Sequence, residues 1–141
     1  MDRHRHHLQG AAPDRFFDYE FPRLRQEVRL SRVGAGRLWI SESNSGNVSV
    51  HDPVDKSWKQ WKLPGENRTY AVWVDPDDKV WLSDWGANSI VRFDPLTEKF
   101  ESFPSNRASS NVRQLLGRKG ETWIAESGTE RIRVIRHAGA N

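Results

Sequence analysis

Three carboxylates recur at one interval: Glu42, Asp84 and Glu126 stand 42 residues apart. A carboxylate at the same point of successive repeats can do two kinds of chemistry. Gathered round one opening, the three supply oxygen ligands for a hard cation such as Mg²⁺, or an acidic seat for a ligand. Kept within its own repeat, each accepts hydrogen bonds from backbone N–H groups or an arginine in the turn after a strand. The sequence admits both readings. Trp85 follows Asp84 directly, where the other repeats carry Ser43 and Ser127. An unrepeated aromatic on a loop suits stacking against a ligand. Tyr70 and Arg113, with Arg68 and Asn111, fall near the same opening and complete the candidate ligand-binding set.

The remaining chemistry-bearing residues are fewer. His4, His6 and His7 sit in a polar leading segment, where no preorganised geometry favours a metal. His51 and His137 read as surface histidines rather than as a catalytic base. Cysteine is absent from the 141 residues, so disulfides and thiolate metal sites are excluded. The net charge of +3 comes from 22 basic and 19 acidic residues spread along the chain. Without a basic stripe interleaved with aromatics, a nucleic-acid partner is not expected. No apolar run approaches the ~20 residues that span a bilayer, so no membrane association is expected. The charged N-terminus is not followed by the apolar core of a secretory leader, which makes the cytoplasm the expected compartment.

The elements that must position these residues follow from the same period. Trp39, Trp81 and Trp123 are spaced by 42, and each opens a short β-type phrase: Leu38–Glu42, Val80–Asp84 and Thr122–Glu126. Asp52-Pro53 repeats as Asp94-Pro95, Trp58 and Trp61 as Phe100 and Phe103, and Val48 as Ile90 and Ile132. A strict period of this length built from short strands marks the blades of a β-propeller. Each unit parses into four antiparallel strands. In the second unit these are residues 70–74, 79–84, 89–93 and 99–103, separated by Asp/Pro/Gly/Asn turns. The fold class is therefore all-β, with no helix expected because no apolar 3.6-residue period is sustained. Only 35% of residues are apolar, yet seven tryptophans and six phenylalanines can supply the buried area. Trp39, Trp81 and Trp123 are all expected between blades.

The phrase Val80-Trp81-Leu82-Ser83-Asp84-Trp85-Gly86-Ala87-Asn88-Ser89-Ile90-Val91-Arg92-Phe93 resembles the blade signature of the virginiamycin B lyase (streptogramin lyase) family. Residues 38–48 and 122–132 resemble looser copies, so the resemblance covers about residues 15–136. It implies a seven-bladed monomeric ancestor and Mg²⁺-dependent elimination that opens streptogramin B rings, an antibiotic-resistance activity. It also implies a histidine base and a substrate-binding histidine at the start of innermost strands, and carboxylates on the metal. The matching stretches here are Thr69-Tyr70-Ala71-Val72 and Asn111-Val112-Arg113-Gln114, and neither holds histidine. Ser110 stands where one metal carboxylate is expected, and Glu126 is the nearest match to the other. The resemblance thus implies a lyase-like chain in which Glu126 alone keeps a role on Mg²⁺. The competing expectation is a non-catalytic propeller that binds a small molecule, a peptide or another protein, or a truncated remnant.

The order of units has a consequence for assembly. Residues 1–14 read as a disordered polar tail, 15–136 as the blade domain and 137–141 as a C-terminal tail. The last unit shows three strands, and residues 16–22 match a fourth strand, since Phe16 and Tyr19 precede Trp58 and Trp61 by one period. The count is about three blades, where a closed propeller has typically 4–8. Self-association that closes the ring is the expected partnership.

Overall fold

The computed structural model describes residues 28–31, 36–66 and 68–137. The expected tail at 1–14, the expected strand at residues 16–22, and residues 138–141 of the expected tail at 137–141 lie outside them. Eleven strands form three antiparallel sheets among the described residues. The first sheet has the order β1 (Val28–Ser31), β2 (Leu38–Glu42), β3 (Asn47–His51) and β4 (Trp58–Lys62). The second repeats it with β5 (Thr69–Val74), β6 (Val80–Asp84), β7 (Ser89–Asp94) and β8 (Lys99–Pro104). The third holds β9 (Val112–Arg118), β10 (Glu121–Glu126) and β11 (Arg131–Arg136). Each is a meander, and the first strands β1, β5 and β9 lie beside one another along the inner side. All-β propeller blades are what the period required.

Local chemistry sets the strand limits. Backbone φ turns positive at Gly36, Asp78 and Gly120, at Gly46, Asn88 and Glu130, and at Lys56 and Glu98. All three sets keep the 42-residue spacing, so the tight turns repeat as faithfully as the strands. Left-handed φ suits Gly and Asn best, and the blades use either those residues or polar ones there. The third turn is closed by Asp52 and Asp94, whose Oδ1 atoms accept the N–H groups of Val54 and Leu96, each at 2.9 Å. That is why Asp-Pro recurs at these points.

The sheets stack through two apolar clusters. Trp39, Val48 and Val50 of the first sheet meet Val80, Leu82, Val91 and Phe93 of the second. Ala71, Trp81 and Ile90 of the second then meet Val112, Leu115 and Ile124 of the third. Trp81 is fixed further by its indole N–H, which donates to Asp75 Oδ2 at 2.8 Å.

The third tryptophan corrects the sequence expectation. Trp39 and Trp81 are 1% and 0% exposed, but Trp123 is 42% exposed. Its neighbours across the sheet are Leu116 and Val134, and this face of the third sheet meets no further blade among the described residues. The residue is in register, and no described sheet covers it. His137 is a second correction. Instead of trailing in a tail, its N–H donates to Gly120 O at 3.0 Å and its ring lies 4.9 Å from that of Trp81.

Truncation should separate the repeated tryptophans. Trp81→Ala is expected to cost ~3–5 kcal/mol, as for a fully buried aromatic, whereas Trp123→Ala in the isolated chain should cost less than half as much. Urea titrations of the two variants check this, and equal losses would mean that the Trp123 face is covered in solution.

Candidate functional site

At one end of the two seams, first sheet to second and second to third, Arg68, Tyr70, Trp85 and Arg113 come together. Ser83 at the end of β6 donates to Val112 O at 2.8 Å, and the Trp85 indole N–H donates to the same carbonyl at 2.7 Å. The Trp85 backbone N–H meets Arg68 O at 2.8 Å. Held at these points, Trp85 stacks on Tyr70, with ring centroids 4.6 Å apart and planes 14° from parallel. The Arg113 guanidinium lies 5.6 Å from the centroid of the Trp85 ring, within cation–π range. Across the seam between the first and second sheets, Ser43 donates to Thr69 O at 2.7 Å. These groups border a cleft of about 270 Å³ lined by Ser43, Asn44, Arg68, Thr69, Tyr70, Trp85 and Arg113. Among the described residues no acidic side chain lines it.

Tyr70, Trp85 and Arg113 are thus brought together with Arg68. Asn111 is not; it borders a separate crevice, with room for about one water, beside Asp84 and Glu126. Ser43, Asn44 and Thr69 escaped sequence reasoning as cleft residues. Ser43 had a signal, since it occupies the Trp85 position one repeat earlier.

The three carboxylates sit elsewhere. All are buried: Glu42 is 6% exposed, and Asp84 and Glu126 are each 1% exposed. Glu42 accepts from Ser45 at 2.9 Å, from Gln60 at 2.7 Å and from the Ser49 hydroxyl. Glu126 accepts from Arg133 at 2.9 Å, Thr129 at 2.7 Å and Ser105 at 3.3 Å. Burial opposes its ionisation, but the bonds from Arg133 and Thr129 outweigh that and hold its carboxyl below the ordinary glutamate range. Asp84 differs. One oxygen accepts the Ala87 N–H at 3.1 Å, and the other, buried, has no hydrogen-bond partner. Burial pushes its carboxyl above the ordinary aspartate range, offset in part by the Ala87 and Gly86 N–H groups. A Cβ on Gly65 would stand 2.2 Å from that oxygen, so the turn at Gly65 admits only glycine.

These donor sets do not fit a magnesium ion. Around Glu126 stand a cationic guanidinium and two hydroxyls, the Ser110 and Ser105 hydroxyls share a hydrogen bond at 2.6 Å, and among the described residues no second carboxylate accepts from these donors. Among the described residues no three His, Cys, Asp or Glu side chains converge as metal ligands do. His51 is also remote from the cleft; it stacks on Trp58 at 4.5 Å and lies on the third strand.

Solved structures share this architecture. Virginiamycin B lyase from Staphylococcus aureus superposes with a TM-score of 0.70 at 16% identity, over 92% of this chain and 47% of that one. A streptogramin B lyase gives 0.67 at 18% identity, over 77% and 36%. A WD40 β-propeller domain gives 0.65 at 13% identity, over 80% and 38%. The chain has the propeller fold. It spans less than half the length of these propellers, and its likeness to them is one of fold. No protein-family profile and no curated protein matches the sequence.

The two buried carboxylates should respond to acid in opposite senses. Asp84, with its folded pKa raised, contributes stability only below the unfolded value near 3.8, and that contribution is lost as pH rises through the folded pKa. Glu126, lowered from 4.5, contributes stability above the unfolded value that is lost as pH falls through the folded one. Asp84→Asn is therefore expected to match or exceed the parent in stability at pH 7 and to lose that margin toward pH 4. Glu126→Gln should be destabilised at pH 7 and approach the parent in acid. Denaturant titrations at both pH values read the two signs directly.

Proposed function

We propose that this chain is a binding module that takes an anionic ligand with a planar body in the cleft bordered by all three blades. The single observation that carries the reading is the Tyr70–Trp85–Arg113 stack beside Arg68, with no carboxylate among the described lining residues. Guanidinium groups pair with carboxylate or phosphate through matched donors. An aromatic pair offers a flat apolar wall at low entropic cost. The indole bond to Val112 O and the serine bond to Thr69 O fix the walls before a ligand arrives, which reduces the ordering cost of binding.

Ring-opening of a streptogramin B antibiotic, the activity the resemblance suggests, has less support. Elimination next to an ester needs a base for a carbon-bound proton and an electrophile for the developing enolate charge. Tyr70 and Val112 stand at the histidine positions, and Glu126 is engaged by Arg133. Loss of the base alone removes ~10²–10⁴ in rate.

Calorimetric titration with 2-naphthoate tests the binding reading. Saturable binding is expected, weakened about tenfold or more by Arg113→Ala or Trp85→Ala, as removal of an anchoring side chain at an interface does. Binding unaffected by both substitutions would place the ligand elsewhere, and no binding would sink this ligand class. In a parallel incubation with a streptogramin B antibiotic and excess Mg²⁺, mass spectrometry should detect no linearised product. Turnover lost in Glu126→Ala would restore the catalytic reading.

A further inference from the structure

The outer edge of β11 carries a second inference, independent of the cleft. In the first two sheets the outermost strand pairs with the third strand in one register. Val48 faces Trp61, Ser49 faces Gln60 and His51 faces Trp58; in the next sheet Ile90 faces Phe103 and Phe93 faces Phe100. The third sheet has no outermost strand among the described residues, so Arg131–Arg136 presents an unpaired edge. Such an edge is a template for another strand. Beside it lies an apolar face on which Leu116 is 57%, Trp123 42% and Ile132 73% exposed.

One stretch of the sequence carries the outermost-strand pattern and belongs to no described sheet. It is residues 16–22, Phe-Phe-Asp-Tyr-Glu-Phe-Pro. Moving the β3–β4 register back one repeat on this stretch and forward two on β11 sets Phe16 opposite Ile135, Phe17 opposite Val134 and Tyr19 opposite Ile132. The same register sets Asp18 opposite Arg133 and Glu20 opposite Arg131. Alternation then turns Phe17 and Tyr19 toward the side that holds Trp123 and Leu116, and both acids meet arginines. Opposite charges directly across an antiparallel pair are favourable.

Chain length decides whose β11 is paired. Six residues, 63–68, link β4 to β5, and seven, 105–111, link β8 to β9; each link crosses from one blade to the next. Five residues, 23–27, separate this stretch from β1. That suffices to reach the blade just before the first. The third blade of the same chain lies two blades away on the other side, farther than so short a link extends. We propose that residues 16–22 add to β11 of a second copy as its outermost strand, and reciprocally, so that two chains join their three blades each. Main-chain pairing supplies the affinity of such strand addition, and side chains at alternate positions supply its selectivity.

The absence of cysteine makes the test direct. In the full-length chain carrying Tyr19→Cys and Ile132→Cys, oxidation should give a disulfide-linked dimer on a non-reducing gel. Glu20→Cys with Arg131→Cys, at two polar positions, should give the same product and guards against misfolding of the first pair. Phe17→Cys with Ile132→Cys, out of register, should give at least fivefold less. The unsubstituted chain should sediment at twice its 16.3 kDa mass. Intramolecular disulfides, no cross-link from either in-register pair, equal yields in and out of register, or a monomeric parent chain would each overturn the proposal.

Discussion

Everything in this chain depends on the contact between one sheet and the next. No sheet here holds a core of its own, because a four-stranded blade is only one layer thick and must bury both faces on neighbours. The contact has an apolar part and a polar part. Trp39 lies 5.9 Å from Trp61 and 6.0 Å from Phe93 of the next blade, and Trp81 closes on the cluster built around Val112, Leu115 and Ile124. The polar part is a serine strut. Ser41 reaches Tyr70 O at 2.7 Å, and one repeat later Ser83 reaches Val112 O at 2.8 Å. Each strut ties a second strand to the inner strand that follows. At the third blade the strut position is Ala125, which has no hydroxyl to offer, and there the stack among the described residues ends.

The same seams place the candidate site. Val112 O accepts from both Ser83 and Trp85, so the strut that fixes the blades also fixes the indole. Ser43 and Thr69 do the equivalent across the earlier seam. A ligand cleft built on these bonds inherits the rigidity of the stack, and its shape follows from the inter-blade spacing rather than from a flexible loop. The carboxylates obey the opposite logic. They lie within blades, and each closes the turn that follows its own second strand. Ser45, Ala87 and Thr129, each three residues on, supply the donors from one repeated position.

Much of the fold was legible because its causes are local and periodic. A tryptophan every 42 residues, Asp-Pro at one turn and Gly or Asn at another each report a backbone requirement that recurs in every blade. The strand limits at Glu121–Glu126 and Arg131–Arg136 follow from such signals alone. Burial did not follow from them. Trp123 carries the same local pattern as Trp39 and Trp81, and its exposure depends on whether another sheet lies beyond it, which no local pattern records. The fate of the carboxylates was equally hidden. Whether Glu42 points to a mouth or into its blade depends on Ser49 and Gln60, donors that reach it only through the pairing of β2, β3 and β4.

Differences between repeats are therefore the more informative record. Residues that recur in all blades serve turns and seams that every blade needs. Asp84 shows the cost of departing from that scheme: Val91 and Ala87 replace the hydroxyls of Ser49 and Ser45, and one carboxylate oxygen is left buried without a partner. An unpaired oxygen destabilises, so this blade gives up stability that its neighbours keep. The residues that depart most visibly around it stand at the next turn and along the adjoining seam. Trp85 replaces a serine and Tyr70 replaces the valine found at 28 and 112, while Arg113 keeps the arginine that the first blade has at Arg29. Two such departures would scatter if they were neutral drift on independent surfaces. They converge in one stack beside Arg113, fixed by the indole bond to Val112 O, and the fold needs neither of them to close its sheets. Convergence of substitutions that the repeat does not require is the physical reason to place function at that seam rather than at the ring of carboxylates.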